Sequence, residues 1–270
     1  MIDFPTAFLT WFAATFIPAL VGLTLIISAN RFVPARYLAA FAVGIFLWFF
    51  VDTIGGAANL QVNQGFTGGI GQVAVVVLFI LGVLVLFALD RHRDVFSSEP
   101  IVQQFGIVIP VLVAIAVGIH GLGEGTAFGG TASTTPSTQL LDAFGGVSAG
   151  IAYALHKMLE PMMIGACYAA YSRGRQGLTR GRLIRDIFIL GIIFVIPSLL
   201  GAATGYYIVY DASYFFALGT GTSIYALIRL AKVLFVPVTD KMKIAMDTMK
   251  IAVAIVLGFI AIYIAALFHS

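Results

Sequence analysis

The chain has 270 residues, of which 60% are hydrophobic and only 10% are charged. Soluble domains carry roughly 25% charged residues, so the composition excludes a soluble domain and favours a polytopic membrane protein. The single cysteine, Cys167, excludes an intrachain disulfide and a metal site rich in thiolates.

Hydropathy predicts an all-α protein with eight membrane spans in one transmembrane domain, residues 1–270. A helix that crosses a bilayer needs roughly 20 apolar residues, which suits about eight spans joined by short loops in a chain of this length. The spans are expected at residues 7–29, 37–58, 68–89, 101–128, 140–171, 183–209, 213–235 and 243–267.

Basic residues occupy alternate loops. Arg31 and Arg36 follow the first span, Arg91 and Arg93 follow the third, an arginine cluster at 173–185 follows the fifth, and Lys241 and Lys243 precede the eighth. The other loops, near 59–67, 129–139 and 210–212, contain neither Lys nor Arg. Because cytoplasmic loops carry the excess of basic residues, we expect a cell-membrane protein with both termini outside.

Two halves of the chain share a sequence pattern. Phe16–Gly22 in the first span is similar to Val195–Gly201 in the sixth, and the windows Tyr37–Asp52 and Tyr214–Arg229 are also comparable. Spans one to three (residues 1–90) and six to eight (residues 183–270) would then form an inverted repeat around the two central spans (residues 101–172). Many transporters are built in this way, with the substrate site near the bilayer midplane.

Each central span carries a histidine followed four residues later by a glutamate: His120 with Glu124, and His156 with Glu160. A step of four residues turns a helix by about 400°, so each pair lies on one face. Ionisable groups inside a membrane span mark a site or a pathway by default. Two imidazoles and two carboxylates suit Zn²⁺ or Fe²⁺, and less strongly Mn²⁺ or Co²⁺. The alternative is a structural network of His–Glu hydrogen bonds between helices.

The segments Gly118–Gly125 and Tyr153–Pro161 resemble the HNxPEG-like motif of the ZIP family of divalent-metal transporters. The resemblance implies eight helices grouped three, two and three, metal ligands on the fourth and fifth, and transport of zinc or iron into the cytosol. It also implies a homodimer in a lipid bilayer, with the metal ion as substrate and no nucleic-acid partner.

In the family the two helices hold two metal ions. The resemblance assigns the first ion to the four His and Glu side chains, whereas the positions that would hold the second read Gly121, Lys157 and, on the sixth span, Ser198. Our hypothesis is a mononuclear site in which the Lys157 ammonium replaces the second metal ion. The alternative is that Lys157 extends away from the site.

Asp52, toward the outer half of the second span, is interpreted as a group on the entry path of the metal, with Arg229 as its possible structural partner instead. The expected function is that of a transporter and not an enzyme, and two other functions stay open. One is a membrane metal sensor that does not transport. The other is a membrane-embedded metallohydrolase, which would need an open coordination position and a separate general base.

Overall fold

The computed structural model describes residues 1–63, 70–91, 107–136, 140–171, 179–208, 211–234 and 241–267, with the side chains of 52–63, 70–72, 233, 241–246 and 266 excepted. The described residues form eight α-helices and no strand, which confirms the predicted all-α class. The helices are α1 (Phe4–Ala29), α2 (Ala35–Asn63), α3 (Ile70–Arg91), α4 (Val108–Thr134), α5 (Val147–Tyr171), α6 (Arg180–Tyr207), α7 (Ser213–Leu234) and α8 (Lys241–Ala266).

Five of the described helices are long and apolar enough to cross a membrane. They are α1, α3, α4, α6 and α8, and α2 adds a shorter apolar run over Ala35–Val51. Many large apolar side chains of α3 and α8 point outward, among them Val76, Leu84, Val253 and Leu257, each at least half exposed. Hydrocarbon is a suitable surrounding for such surfaces, whereas soluble monomers rarely expose apolar patches of this extent. The chain is therefore a helical protein suited to a membrane.

Each of the two central helices, α4 and α5, packs against helices of both the N-terminal and the C-terminal half. The most extensive pairings are α4 with α6, α1 with α5, α2 with α8, and α3 with α7. Helix α4 also packs against α7, and α5 against α2. Glycines allow some of these backbones to approach closely: a Cβ atom on Gly125 of α4 would overlap the carbonyl oxygen of Ser198 on α6. Small residues have this role in membrane helix packing generally.

The two ends of the bundle differ in chemistry. At one end the Ile2 amide donates to the Thr135 carbonyl over 2.9 Å, and the Tyr206 hydroxyl donates to the Ile2 carbonyl over 2.7 Å. We call this the N-terminal end. The opposite end, where α1 finishes and α6 begins, carries Arg31 and Arg180, and we call it the arginine end. Between them, the Cys167 side chain is free and fully buried.

The prediction of one continuous span over 140–171 is wrong in its first turns. Leu140–Phe144 form a 3₁₀ helix, and α5 begins only at Val147. Gly145 and Gly146 separate them with φ angles of 87° and 102°, a left-handed conformation that glycine adopts without steric penalty. Hydropathy does not reveal this break because the residues before it are still apolar: Phe144 packs 4.8 Å from Phe128, between ring centroids.

Candidate metal centre

Helices α4 and α5 bring the four predicted ligands together. His120 and Glu124 lie one turn apart on α4, and His156 and Glu160 lie one turn apart on α5. One ligand atom of each residue lies within 4.8 Å of all the others. Glu160 is completely buried and Glu124 is the most accessible, with 16% of its side chain exposed. The predicted His/Glu group therefore exists and could hold a metal ion.

The ligand atoms that face one another are the two Nε2 atoms and the two Oε1 atoms. Within each helix, His120 Nε2 lies 3.5 Å from Glu124 Oε1, and His156 Nε2 lies 3.0 Å from Glu160 Oε1. Both distances between the helices, His120 to Glu160 and His156 to Glu124, are 3.9 Å. Four ligands held about 2.0–2.1 Å from a tetrahedral zinc ion lie roughly 3.3 Å apart. The spacing of this group is thus close to that of a tetrahedral site.

Lys157 contacts both carboxylates from the other side. Its Nζ atom lies 2.6 Å from Glu160 Oε2 and forms a second ion pair with Glu124 Oε2. Each glutamate therefore directs Oε1 toward the histidines and Oε2 toward the ammonium. Lys157 is only 1% exposed, so it does not extend to a surface.

Two aromatic rings lie close to the buried Lys157 ammonium. Nζ lies 5.7 Å from the centroid of the Tyr153 ring and 5.6 Å from that of Phe194. A cation within about 6 Å of an aromatic ring is attracted to its face, more strongly where water is excluded. Sequence reasoning missed both rings, although Tyr153 lies four residues before Lys157 and so on the same face of α5.

Ser198 and Gly121 lie together where α6 crosses α4. The Trp11 indole Nε1 donates to Ser198 Oγ over 2.8 Å, and a Cβ atom on Gly121 would lie 2.9 Å from Ser198 Cβ. Gly121 directly follows His120, so this contact brings Ser198 beside the part of α4 that carries the His/Glu group. The hydroxyl of Ser198, however, is already bound by Trp11.

Further aromatic residues line the centre from four helices. Trp11 stacks on Phe128 and Tyr153 with centroid distances of 4.4 and 4.6 Å. The His120 ring contacts Phe49 at 4.5 Å and Phe216 at 5.2 Å. These walls lower the local dielectric, which strengthens every interaction between the charges inside. Trp11 was not predicted because a single indole in an apolar helix carries no periodic signal.

Two residues outside the centre were also singled out from the sequence. Asp52 belongs to α2, but its side chain lies outside the described part of the chain. Arg229 forms an ion pair with Asp90 at the end of α3, so the described partner of Arg229 is Asp90. Arg36 is paired in the same way with Asp247 of α8. Both ion pairs join neighbouring helices and lie away from the His/Glu group.

The fold and the site together define a helical protein, suited to a membrane, with a buried His/Glu group that could hold a metal ion. No protein-family model matches this chain, and no curated protein matches it either. The resemblance to the ZIP family therefore rests on the motif residues alone.

Proposed function

We propose that this protein is a ZIP-like carrier that moves a divalent transition metal, zinc or iron, into the cytosol through a mononuclear site. The observation that carries the proposal is the division of the two carboxylates. Both Oε1 atoms converge with the two imidazoles, whereas both Oε2 atoms contact the Lys157 ammonium. The centre offers one place for a divalent ion and fills the neighbouring place with a side chain.

The charges of the centre attract a cation and argue against two divalent ions. Two carboxylates contribute two negative charges and Lys157 contributes one positive charge, which leaves one negative charge in a buried site. A buried charge without a partner is strongly unfavourable, so the centre attracts a cation. Imidazole and carboxylate donors select a transition metal over Mg²⁺ or Ca²⁺, which prefer shells made only of oxygen.

The pairing of the helices supports an inverted repeat of α1–α3 and α6–α8 around α4 and α5. Exchanging α1 with α6, α2 with α7, α3 with α8 and α4 with α5 turns each major pairing into another observed one. The α4–α6 pairing becomes α5–α1, α2–α8 becomes α7–α3, and α4–α7 becomes α5–α2. This exchange supports an arrangement in groups of three, two and three helices.

Close contacts at two glycines are also related by the exchange of α1 with α6 and of α5 with α4. A Cβ atom on Gly22 of α1 would overlap the carbonyl oxygen of Met158, and one on Gly201 of α6 would overlap that of Leu122. Met158 and Leu122 each lie two residues after a site histidine. The two halves thus cross the central helices at equivalent points, which supports a site at the axis of the repeat.

Transport would follow from movement of one group of helices against the other around this site. The metal would enter from the N-terminal end past α2, exchange its water ligands for His120, Glu124, His156 and Glu160, and leave at the arginine end. Lys157 would hold both carboxylates in place throughout. The basic loops support this orientation, with the arginine end facing the cytosol.

Uptake of Zn²⁺ and Fe²⁺ into proteoliposomes tests the proposal, with the wild type compared with His156→Ala. His92→Ala, which removes an imidazole elsewhere in the sequence, is the matched control and should leave uptake unchanged. We expect the wild type to accumulate metal and His156→Ala to lose most of that uptake. Binding without uptake would instead indicate a sensor, and neither binding nor uptake would indicate a structural His–Glu network.

A metallohydrolase is less well supported by the geometry. All four members of the His/Glu group face one another, and the described residues add no fifth His, Cys, Asp or Glu to the group. A hydrolytic zinc site keeps an open position and a general base that is not a ligand. Hydrolysis of lipid or peptide by the proteoliposomes, lost in His156→Ala, would favour the enzyme over the carrier.

A further inference from the structure

A groove between α1 and α6 opens at the arginine end and has a volume of about 950 Å³. Its polarity changes with depth. Ser28, Arg31 and Arg180 line the part near the helix ends, whereas Leu20, Ile187 and Phe188 line the part nearer the middle of the helices. Arg31 and Leu20 are separated by about 16 Å along the chain at 1.5 Å per helical residue. The groove thus has a basic mouth and an apolar floor.

Three other arginines of the described chain are paired with acids, unlike the two at the mouth of the groove. Arg36, Arg185 and Arg229 each form an ion pair with an aspartate: Asp247, Asp186 and Asp90. Arg31 and Arg180 are exposed, and the described acidic side chains form no ion pair with either. Two cations that form no ion pair with a described acidic side chain, at the mouth of an apolar groove, match a ligand with an anionic head and an apolar tail.

We propose that this groove binds an anionic phospholipid, with its phosphate at Arg31 and Arg180 and an acyl chain between α1 and α6. Guanidinium groups bind phosphate through paired hydrogen bonds, and basic pockets between membrane helices suit anionic headgroups. The hydroxyls of Ser28 and Thr179 at the mouth provide further donors. The lipid would also touch α5, because Tyr168 and Ala169 line the groove.

This site does not depend on the proposed transport of metal. It lies between α1 and α6 at the arginine end and contains none of the four His and Glu side chains. A protein that fails to transport metal could still bind the lipid, and the reverse also holds. The two proposals therefore fail separately.

Native mass spectrometry of the full chain in detergent tests the headgroup. Phosphatidylglycerol and phosphatidylcholine with the same acyl chains are titrated into the wild type and into Arg31→Gln/Arg180→Gln. We expect the double variant to lose about 30-fold in preference for phosphatidylglycerol, which corresponds to about 1 kcal/mol for each basic residue near the headgroup. The control Arg182→Gln/Lys232→Gln removes the same charge from exposed positions outside the groove. Equal losses in both double variants would mean diffuse attraction and would overturn the proposal.

A second pair of variants tests the acyl chain. Thr24 lines the groove, whereas Val21 on the same helix is 43% exposed and does not line it. Thr24→Trp should fill the groove and reduce lipid binding at least tenfold, and Val21→Trp should change it less than twofold. Soluble glycerol phosphate serves as a competitor. If it displaces the lipid at equal concentration, the ligand is a free phosphate and the lipid proposal is wrong.

Discussion

Lys157 Nζ lies 2.6 Å from Glu160 Oε2, while the other oxygen of the same carboxylate lies 3.0 Å from His156 Nε2. One turn of α5 therefore presents an imidazole, an ammonium and a carboxylate that joins them. Glu124 repeats the arrangement from α4, since it contacts both Lys157 and His120. The two glutamates act as bridges between a side chain cation and the place for a metal ion.

Removing the lysine charge should destabilise the metal-free protein. Lys157→Met keeps an apolar stem of similar length but leaves two buried carboxylates without their cation. Breaking a buried ion pair by removal of one partner costs about 3–5 kcal/mol, so the melting temperature in detergent should fall clearly. Lys250→Met, at an exposed position of α8, is the control. Added Zn²⁺ should restore part of the lost stability, and an unchanged melting temperature would exclude a role of Lys157 in holding the carboxylates.

The number of bound ions should change with residue 157. The wild type should bind one Zn²⁺ per chain, and Lys157→Asn should approach two, because the amide oxygen is a ligand and no longer a competing cation. Elemental analysis of the protein after gel filtration measures the ratio. Two ions per chain in the wild type would contradict the mononuclear site.

Loss of one carboxylate ligand should weaken metal binding at the centre. Glu160→Gln keeps the shape of the side chain but removes its charge, so we expect Zn²⁺ affinity to fall by more than about 100-fold, the upper range for loss of an outer partner of a metal ligand. Competition with a zinc-binding dye measures the dissociation constant. Asp186→Asn, another fully buried carboxylate on α6, is the control and should leave the affinity within about threefold. Similar losses in both variants would mean that overall stability, and not coordination, sets the affinity.

Equivalent glycines of the two halves should respond alike to substitution. In both Gly22→Ala and Gly201→Ala the new Cβ atom would overlap a backbone carbonyl of α5 or α4. Overpacking of this kind costs about 1–3 kcal/mol, so both variants should melt at lower temperature by similar amounts. Gly181→Ala on α6, where a Cβ atom meets nothing within 4 Å, should be neutral or slightly stabilising. Unequal effects at Gly22 and Gly201 would count against the inverted repeat.

Replacing one partner of the Asp90–Arg229 ion pair should destabilise the protein more than replacing both. Asp90→Asn leaves a guanidinium that is only 15% exposed without its acid, which should cost about 1–3 kcal/mol. Replacing both partners, in Asp90→Asn/Arg229→Met, should recover most of the loss because no charge is left unpaired. Melting curves of the single and double variants provide the comparison. A double variant less stable than Asp90→Asn would mean that Arg229 has another role.

The sequence was sufficient for the parts of the centre that follow from helical spacing. A step of four residues along a helix returns to the same face, and ionisable groups inside apolar spans are stabilised by pairing. These two rules bring together His120, Glu124, His156 and Glu160. Lys157 could be placed beside the carboxylates, but not uniquely, since one residue along a helix changes direction by about 100°. In the structure the Lys157 ammonium contacts both Glu124 and Glu160.

The remaining features depend on contacts between distant parts of the chain. The hydrogen bond from Trp11 to Ser198 joins residues far apart in sequence, and neither residue stands out within its apolar helix. The ion pair of Arg229 with Asp90 depends on the pairing of α7 with α3, and hydropathy does not show which helices are neighbours. The break at Gly145 and Gly146 was missed because apolar character continues across it.

The buried position of Cys167 makes the protein suitable for site-specific labelling. As the only cysteine in the sequence, with a side chain fully enclosed among the helices, it should stay unreactive toward maleimide dyes in the folded state. A cysteine introduced at an exposed position of α1 and another at an exposed position of α8 would then be the two labelled sites, one in each half of the bundle. The distance between two such probes, followed while zinc is added, would report directly how far the helix groups move.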